Sequence, residues 1–108
     1  MTRLQLLGMA AAVSLFACAS THVAEGDKAA GQKLVYTCAG CHGVPGYTNA
    51  YPQYPVPKIV GQNEQYLSAA LHEYKDGGRK HPTMNAQAES LSDADIANIA
   101  AYLSSLAK

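Results

Sequence analysis

Cys38-Ala39-Gly40-Cys41-His42 is the run of this sequence best suited to chemistry. Two thiols three positions apart on one helical turn face the same way and reach a single edge. C-x-x-C followed directly by His is the spacing of covalent c-type haem attachment. Both thiols can add as thioethers to vinyl groups along one macrocycle edge, and the next residue then projects an imidazole toward the ring centre. On this reading Cys38 and Cys41 hold the group and His42 is the proximal metal ligand. Its other ring nitrogen should donate to a backbone carbonyl, which fixes the tautomer and raises the basicity. The motif occurs once and the sequence has no internal repeat, so one haem per chain is expected. Two other chemistries compete. Dithiol exchange also uses C-x-x-C but asks for a βαβ context, which is not seen. A structural zinc site could join Cys38 and Cys41 to two of His42, His72 and His81, although His72 and His81 do not fit the usual ligand spacing.

The N-terminus says where such chemistry would take place. Arg3 is followed by an apolar, small-residue run from Leu4 to Ala19. A short basic region, an apolar region and a small-residue end make a secretory signal peptide. Ala17-Cys18-Ala19 offers a cleavage site, giving a leader over residues 1–19 and a single domain over residues 20–108. Leu15-Phe16-Ala17-Cys18 also resembles a bacterial lipoprotein signal. In that case the leader is 1–17 and a lipidated Cys18 holds the domain at the membrane. Phe16 is bulky for that box. An uncleaved anchor is a third option, but the run is short for a full span. All three put the domain outside the cytoplasm, which is where c-type haem is attached. Of the three cysteines, Cys38 and Cys41 are then the pair that any chemistry must use. The formal net charge is zero, with no Lys/Arg cluster, which excludes nucleic acid as a partner.

The elements that must position this motif are helical. Glu25 to Thr37 is expected to form a helix, started by Gly26 or Asp27, that runs directly into the motif. Gly43 to Ile59 reads as loop, because Pro45, Pro52, Pro55 and Pro57 exclude a regular helix or central strand. Asn63 to Asp76 reads as a helix with Leu67, Ala70, Leu71 and Tyr74 on one face, stopped by Gly77 and Gly78. Arg79 to Leu91 reads as loop again. Ser92 to Leu106 is the clearest helix. Ser92 and Asp95 form a capping box, and Ile96, Ile99, Leu103 and Leu106 make its apolar spine. No alternating run suggests a sheet. The fold expected is all-α, three to five short helices around one haem. Lys33, Lys75 and Glu73 read as solvated helix charges.

At this point the chain resembles the class I cytochromes c, and more closely the short bacterial periplasmic ones, over roughly Gly26 to Leu106. Three places carry the resemblance: the haem-binding turn, Pro57-x-Ile59-x-Gly61-Gln62, and Met84 followed by Leu91-Ser92-Asp93 and Ile96-Ala97-Asn98-Ile99-Ala100-Ala101-Tyr102-Leu103. The resemblance implies that Met84 is the second axial ligand. Beyond the leader Met84 is also the sole thioether, since Met1 and Met9 lie within it. His81 is its rival, and bis-histidine ligation would lower the reduction potential. The resemblance further implies that the Pro57 carbonyl accepts the His42 proton, and that the first and last helices cross closely with Gly31 against Tyr102. It implies a periplasmic single-electron carrier, not an enzyme, that shuttles electrons between periplasmic or membrane-bound redox proteins and needs no small-molecule substrate. The alternatives are an electron-entry subunit fixed in a larger oxidoreductase, or a small-ligand-binding haem protein. The chain departs from the family pattern in the tyrosine-rich run Tyr47 to Tyr54. Lys58, Arg79 and Lys80 are candidates for pairing with the haem propionates.

Overall fold

A computed structural model describes residues 25–45 and 56–107; the leader, Cys18 and the Tyr47–Tyr54 run lie outside the described residues. Five helices follow one another: α1 (Lys28–Leu34), α2 (Tyr36–His42), α3 (Glu64–Asp76), α4 (Pro82–Glu89) and α5 (Asp93–Ser105). The described residues contain no strand. The all-α expectation matches this architecture.

Local chemistry explains most of the boundaries. The Asp27 carboxylate accepts the amides of Ala29 and Ala30 at 2.8 and 3.2 Å and starts α1. Asn63 caps α3 by accepting the Tyr66 amide at 3.0 Å, and Gly77, with φ of 80°, ends α3 in the left-handed region. The capping box on α5 is formed. Ser92 Oγ accepts the Asp95 amide at 3.1 Å, and Asp95 Oδ2 accepts the Ser92 amide at 2.9 Å. The Ser92 amide, a charge-favouring donor, holds the Asp95 carboxyl below the usual aspartate range.

Three expectations need correction. The helix over Glu25–Thr37 does not run unbroken into the motif. It breaks at Val35, where the Cys38 amide turns to the Val35 carbonyl at 2.8 Å, a tighter i to i+3 bond. The stretch 79–91 is not all loop, because residues 82–89 are α4. Pro82 does not interrupt it, because it sits in the first turn, where a missing N–H costs nothing. Lys75 is not simply solvated: its ammonium donates to the Leu91 carbonyl at 2.6 Å and lies 3.9 Å from Asp93. His72 reaches the same carboxylate at 3.2 Å while its Nδ1 donates to the Ser68 carbonyl. Together these two residues tie α3 to the start of α5.

The core lies where α1 and α3 pack on α5. Val35, Ala39, Val44, Val60, Leu67, Ile99, Ala100 and Leu103 form one buried cluster. Two glycines set how close α1 comes to α5. A Cβ on Gly31 would collide with the Asn98 backbone and Tyr102 Cβ, and one on Gly26 with the Ala97 backbone and Ala101 Cβ. Nearby, Asn98 Oδ1 accepts the Asp27 amide at 2.7 Å. Because the obstacle is backbone, no rotamer change relieves it. Gly31→Val should therefore destabilise the folded protein by about 3 kcal/mol or more, lowering the thermal midpoint by at least about 10 °C. A midpoint within two or three degrees of the parent would show that the helices can separate freely.

A thiol- and histidine-lined cavity

The last five of the seven residues of α2 are the motif, and Gly43 caps the helix directly after His42. Cys38, Cys41 and His42 are all half-buried and line one cavity of about 520 Å³. Pro57, Ile59 and Gln62 also line it, with Leu67, Leu71 and Tyr74 of α3 and Ile99 and Leu103 of α5. His81 and Met84 reach it from the α4 side. Every residue singled out in the sequence for haem binding (Cys38, Cys41, His42, Pro57 and Met84) thus lines the same space.

His42 is held from behind. Its Nδ1 lies 2.7 Å from the Pro57 carbonyl, fifteen positions along the chain. A carbonyl only accepts, so Nδ1 carries the proton and Nε2 keeps its lone pair. That is the form in which an imidazole binds a metal. Gln62 steadies the same segment by donating from Nε2 to the Lys58 carbonyl at 2.9 Å.

The thiols are free, not joined as a disulfide. Burial pushes the Cys38 thiol up, against the opposing hydrogen bond from Thr37, and the neighbouring Cys41 raises it further. A dithiol exchange site needs the reverse, a thiol made acidic by positive surroundings. Zinc fares no better, because among the described residues no three or more His, Cys, Asp or Glu side chains converge on one point. Two half-buried thiols, one oriented imidazole and a largely aliphatic wall instead fit a flat apolar group that bears a metal at its centre and takes thioether bonds at one edge.

The basic residues divide. Lys58 and Arg79 line the cavity, whereas Lys80 lines a separate polar cleft with Asp76 and Glu89. Among the described residues, no Asp or Glu lines the cavity. Arg79 lies over the Tyr74 ring at 5.1 Å and donates to the Tyr66 hydroxyl at 3.4 Å. That hydrogen bond is the main reason its already high pKa is raised. Met84 stands in the first turn of α4, not in a loop. The cap of α4 is His81, whose Nδ1 accepts the Met84 amide at 3.3 Å.

Sequence reasoning missed Asn85. Its side chain bonds to three backbone groups spread over residues 74–81. Nothing in an isolated Asn beside a Met signals this, because its partners are set by tertiary folding.

Comparison with known proteins agrees with the geometry. The cytochrome c family model matches residues 28–107. The chain is 46% identical over 83 residues to cytochrome c-554(548) of Halomonas halodenitrificans, covering 74% of this chain and 96% of that protein. It is 45% identical over 82 residues to cytochrome c4 of Pseudomonas aeruginosa, covering 76% of this chain but only 39% of the longer relative. It is 33% identical over 78 residues to the cytochrome subunit of sulfide dehydrogenase of Chlorobaculum tepidum, covering 72% of this chain and 67% of the relative. The chain belongs to the cytochrome c family.

Proposed function

We propose that this protein is a periplasmic single-electron carrier whose one haem is bound through Cys38 and Cys41 and ligated by His42 and Met84. Membership of the family implies the covalently attached haem c, and the single C-x-x-C-H motif implies one. Bound in this cavity, haem supplies reversible one-electron chemistry.

The chain's own residues do the rest. Cys38 and Cys41 fix the ring edge so that it cannot dissociate. The Pro57 carbonyl holds the His42 proton on Nδ1 and strengthens Nε2 as a donor. Met84 offers a soft thioether, which favours the reduced state and raises the potential. The ring of His81 is committed to capping α4, which favours Met84 over His81 as the second ligand. Leu67, Leu71, Ile99 and Leu103 exclude water and lower the local dielectric. With His42 and Met84 both holding the group, its metal would have no place left for a substrate, as a carrier requires. Redox proteins are the partners, met through a small, weak contact. No helix among the described residues is long and apolar enough to cross a membrane. The Leu4–Ala19 run supports export to the periplasm, with lipidation at Cys18 as the alternative to free diffusion.

The observation that carries this reading is the 2.7 Å contact between His42 Nδ1 and the Pro57 carbonyl, in a cavity shared with both cysteines and Met84. The test is the absorption spectrum of the oxidised and reduced protein, made with haem-maturation machinery. A c-type spectrum with a methionine–iron charge-transfer band in the oxidised form is expected. A c-type spectrum without that band would move the second ligand to His81 or to solvent. A second reading, a subunit fixed in a larger enzyme, is favoured by the similarity to the sulfide dehydrogenase subunit. It requires a stable complex on gel filtration of native extract, whereas a mobile carrier elutes alone.

A further inference from the structure

We infer that Asn85 is the latch that keeps Met84 closed over the cavity, and so separates an electron carrier from a protein that binds small ligands at its metal. The inference rests on Met84 being the second axial ligand.

Helix α4 has little else to hold it. It is eight residues long and buries one side chain, Ala88. Helices this short do not persist on intrinsic propensity. Its position must come from tertiary contacts, and the polar ones converge on Asn85. The Asn85 Oδ1 accepts the His81 amide at 2.9 Å, just ahead of the helix. Its Nδ2 donates to the Tyr74 carbonyl at 2.7 Å and to the Arg79 carbonyl at 2.8 Å. Tyr74 belongs to the last turn of α3, whose carbonyls have no partner within the helix. One amide therefore fills an orphan acceptor on α3, ties down the 77–81 connection and orders the turn that carries Met84. The side chain is half-buried, so water replaces these bonds poorly.

The residue sits one position from Met84, and its bonds tie the segment that would have to swing for the sulfur to leave to the end of α3 and the connection after it. Loss of the latch raises the fraction of molecules with an open sixth position. An external ligand then binds more tightly in proportion to that fraction.

The test titrates the oxidised, covalently haem-loaded protein with imidazole and follows the methionine–iron band. Asn85→Ala removes all three bonds. Asn85→Asp keeps the shape and the acceptor for the His81 amide but removes both donors, and it carries the test should the alanine variant not fold. Ser92→Ala, which uncaps α5 and removes none of the Asn85 bonds, controls for general loosening. Asn85→Ala should bind imidazole about tenfold more tightly than the parent, the factor expected for one or two net hydrogen bonds. Asn85→Asp should shift in the same direction, and Ser92→Ala should match the parent at a comparable loss of thermal midpoint. Unchanged affinity in both Asn85 variants overturns the inference, as does an equal gain in Ser92→Ala. Absence of the methionine band in the parent fails at an earlier point, by removing the ligand that the latch is meant to hold.

Discussion

Met84→Ala should convert the protein from a closed carrier into an open haem protein. Three changes are expected together: the methionine–iron band disappears, the reduction potential falls, and imidazole binds about a hundredfold more tightly. The potential falls because the thioether favours ferrous iron, and its usual replacements, water or a nitrogen base, do not. The gain in affinity measures how firmly the sulfur closes the site. A hundredfold corresponds to about 2.8 kcal/mol of closure free energy. It should exceed the gain in the Asn85 variants, since a latch shifts the closing equilibrium while deletion of the ligand abolishes it. Met84 is half-buried in the first turn of a marginal helix, so the substitution leaves the core cluster intact. A variant that keeps the band and the parent potential would show that another side chain, with His81 the first candidate, holds the sixth position.

What could be read from residues alone divides along physical lines. Helices α3 and α5 were legible because their ends are written in local chemistry: Asn63 and Ser92 at the starts, Asp95 answering Ser92, and Gly77 after α3. The thiols and His42 were legible because their spacing along one helical turn is itself the chemical requirement. Helix α4 was not, since its apolar face amounts to Ala88 and its Pro82 carries a breaker's signature outside a helix and a starter's signature in the first turn. The break at Val35 was hidden for a related reason, as the residues on both sides favour helix and only a shift to i to i+3 bonding marks it. Pro57 and Met84 came into view through resemblance. No local rule links a proline carbonyl to a histidine fifteen positions away, and that distance becomes visible only when the chain folds back. Asn85 and Lys75 lie at the far end of this scale. Their bonds to backbone groups eleven and sixteen positions away leave no local trace.

The same geometry makes the cofactor a part of the core, and Cys38→Ala with Cys41→Ala should cost the protein its fold as well as its covalent haem. The buried apolar residues among those described are small for a domain's centre: four alanines, three valines, two isoleucines and two leucines. Of the three large buried residues of α5, two, Ile99 and Leu103, face the cavity of about 520 Å³. Left empty, a cavity of that volume would cost at most about 12 kcal/mol at the rate known for apolar cavities. Water entering from the open side lowers this figure, but it stands against a total stability of only about 5–15 kcal/mol for a typical domain. Three of the five helices have eight residues or fewer, too short to persist without packing. The doubly substituted chain should therefore lose most of its helical circular dichroism and its cooperative melting, and retain no haem after acid–organic extraction. Free haem added back should restore part of the helix signal, because His42 and Met84 still offer ligands and the wall is unchanged. A substituted chain that stays helical and melts cooperatively with no haem present would mean that the helices close the cavity by themselves. The motif would then serve electron transfer alone and not folding.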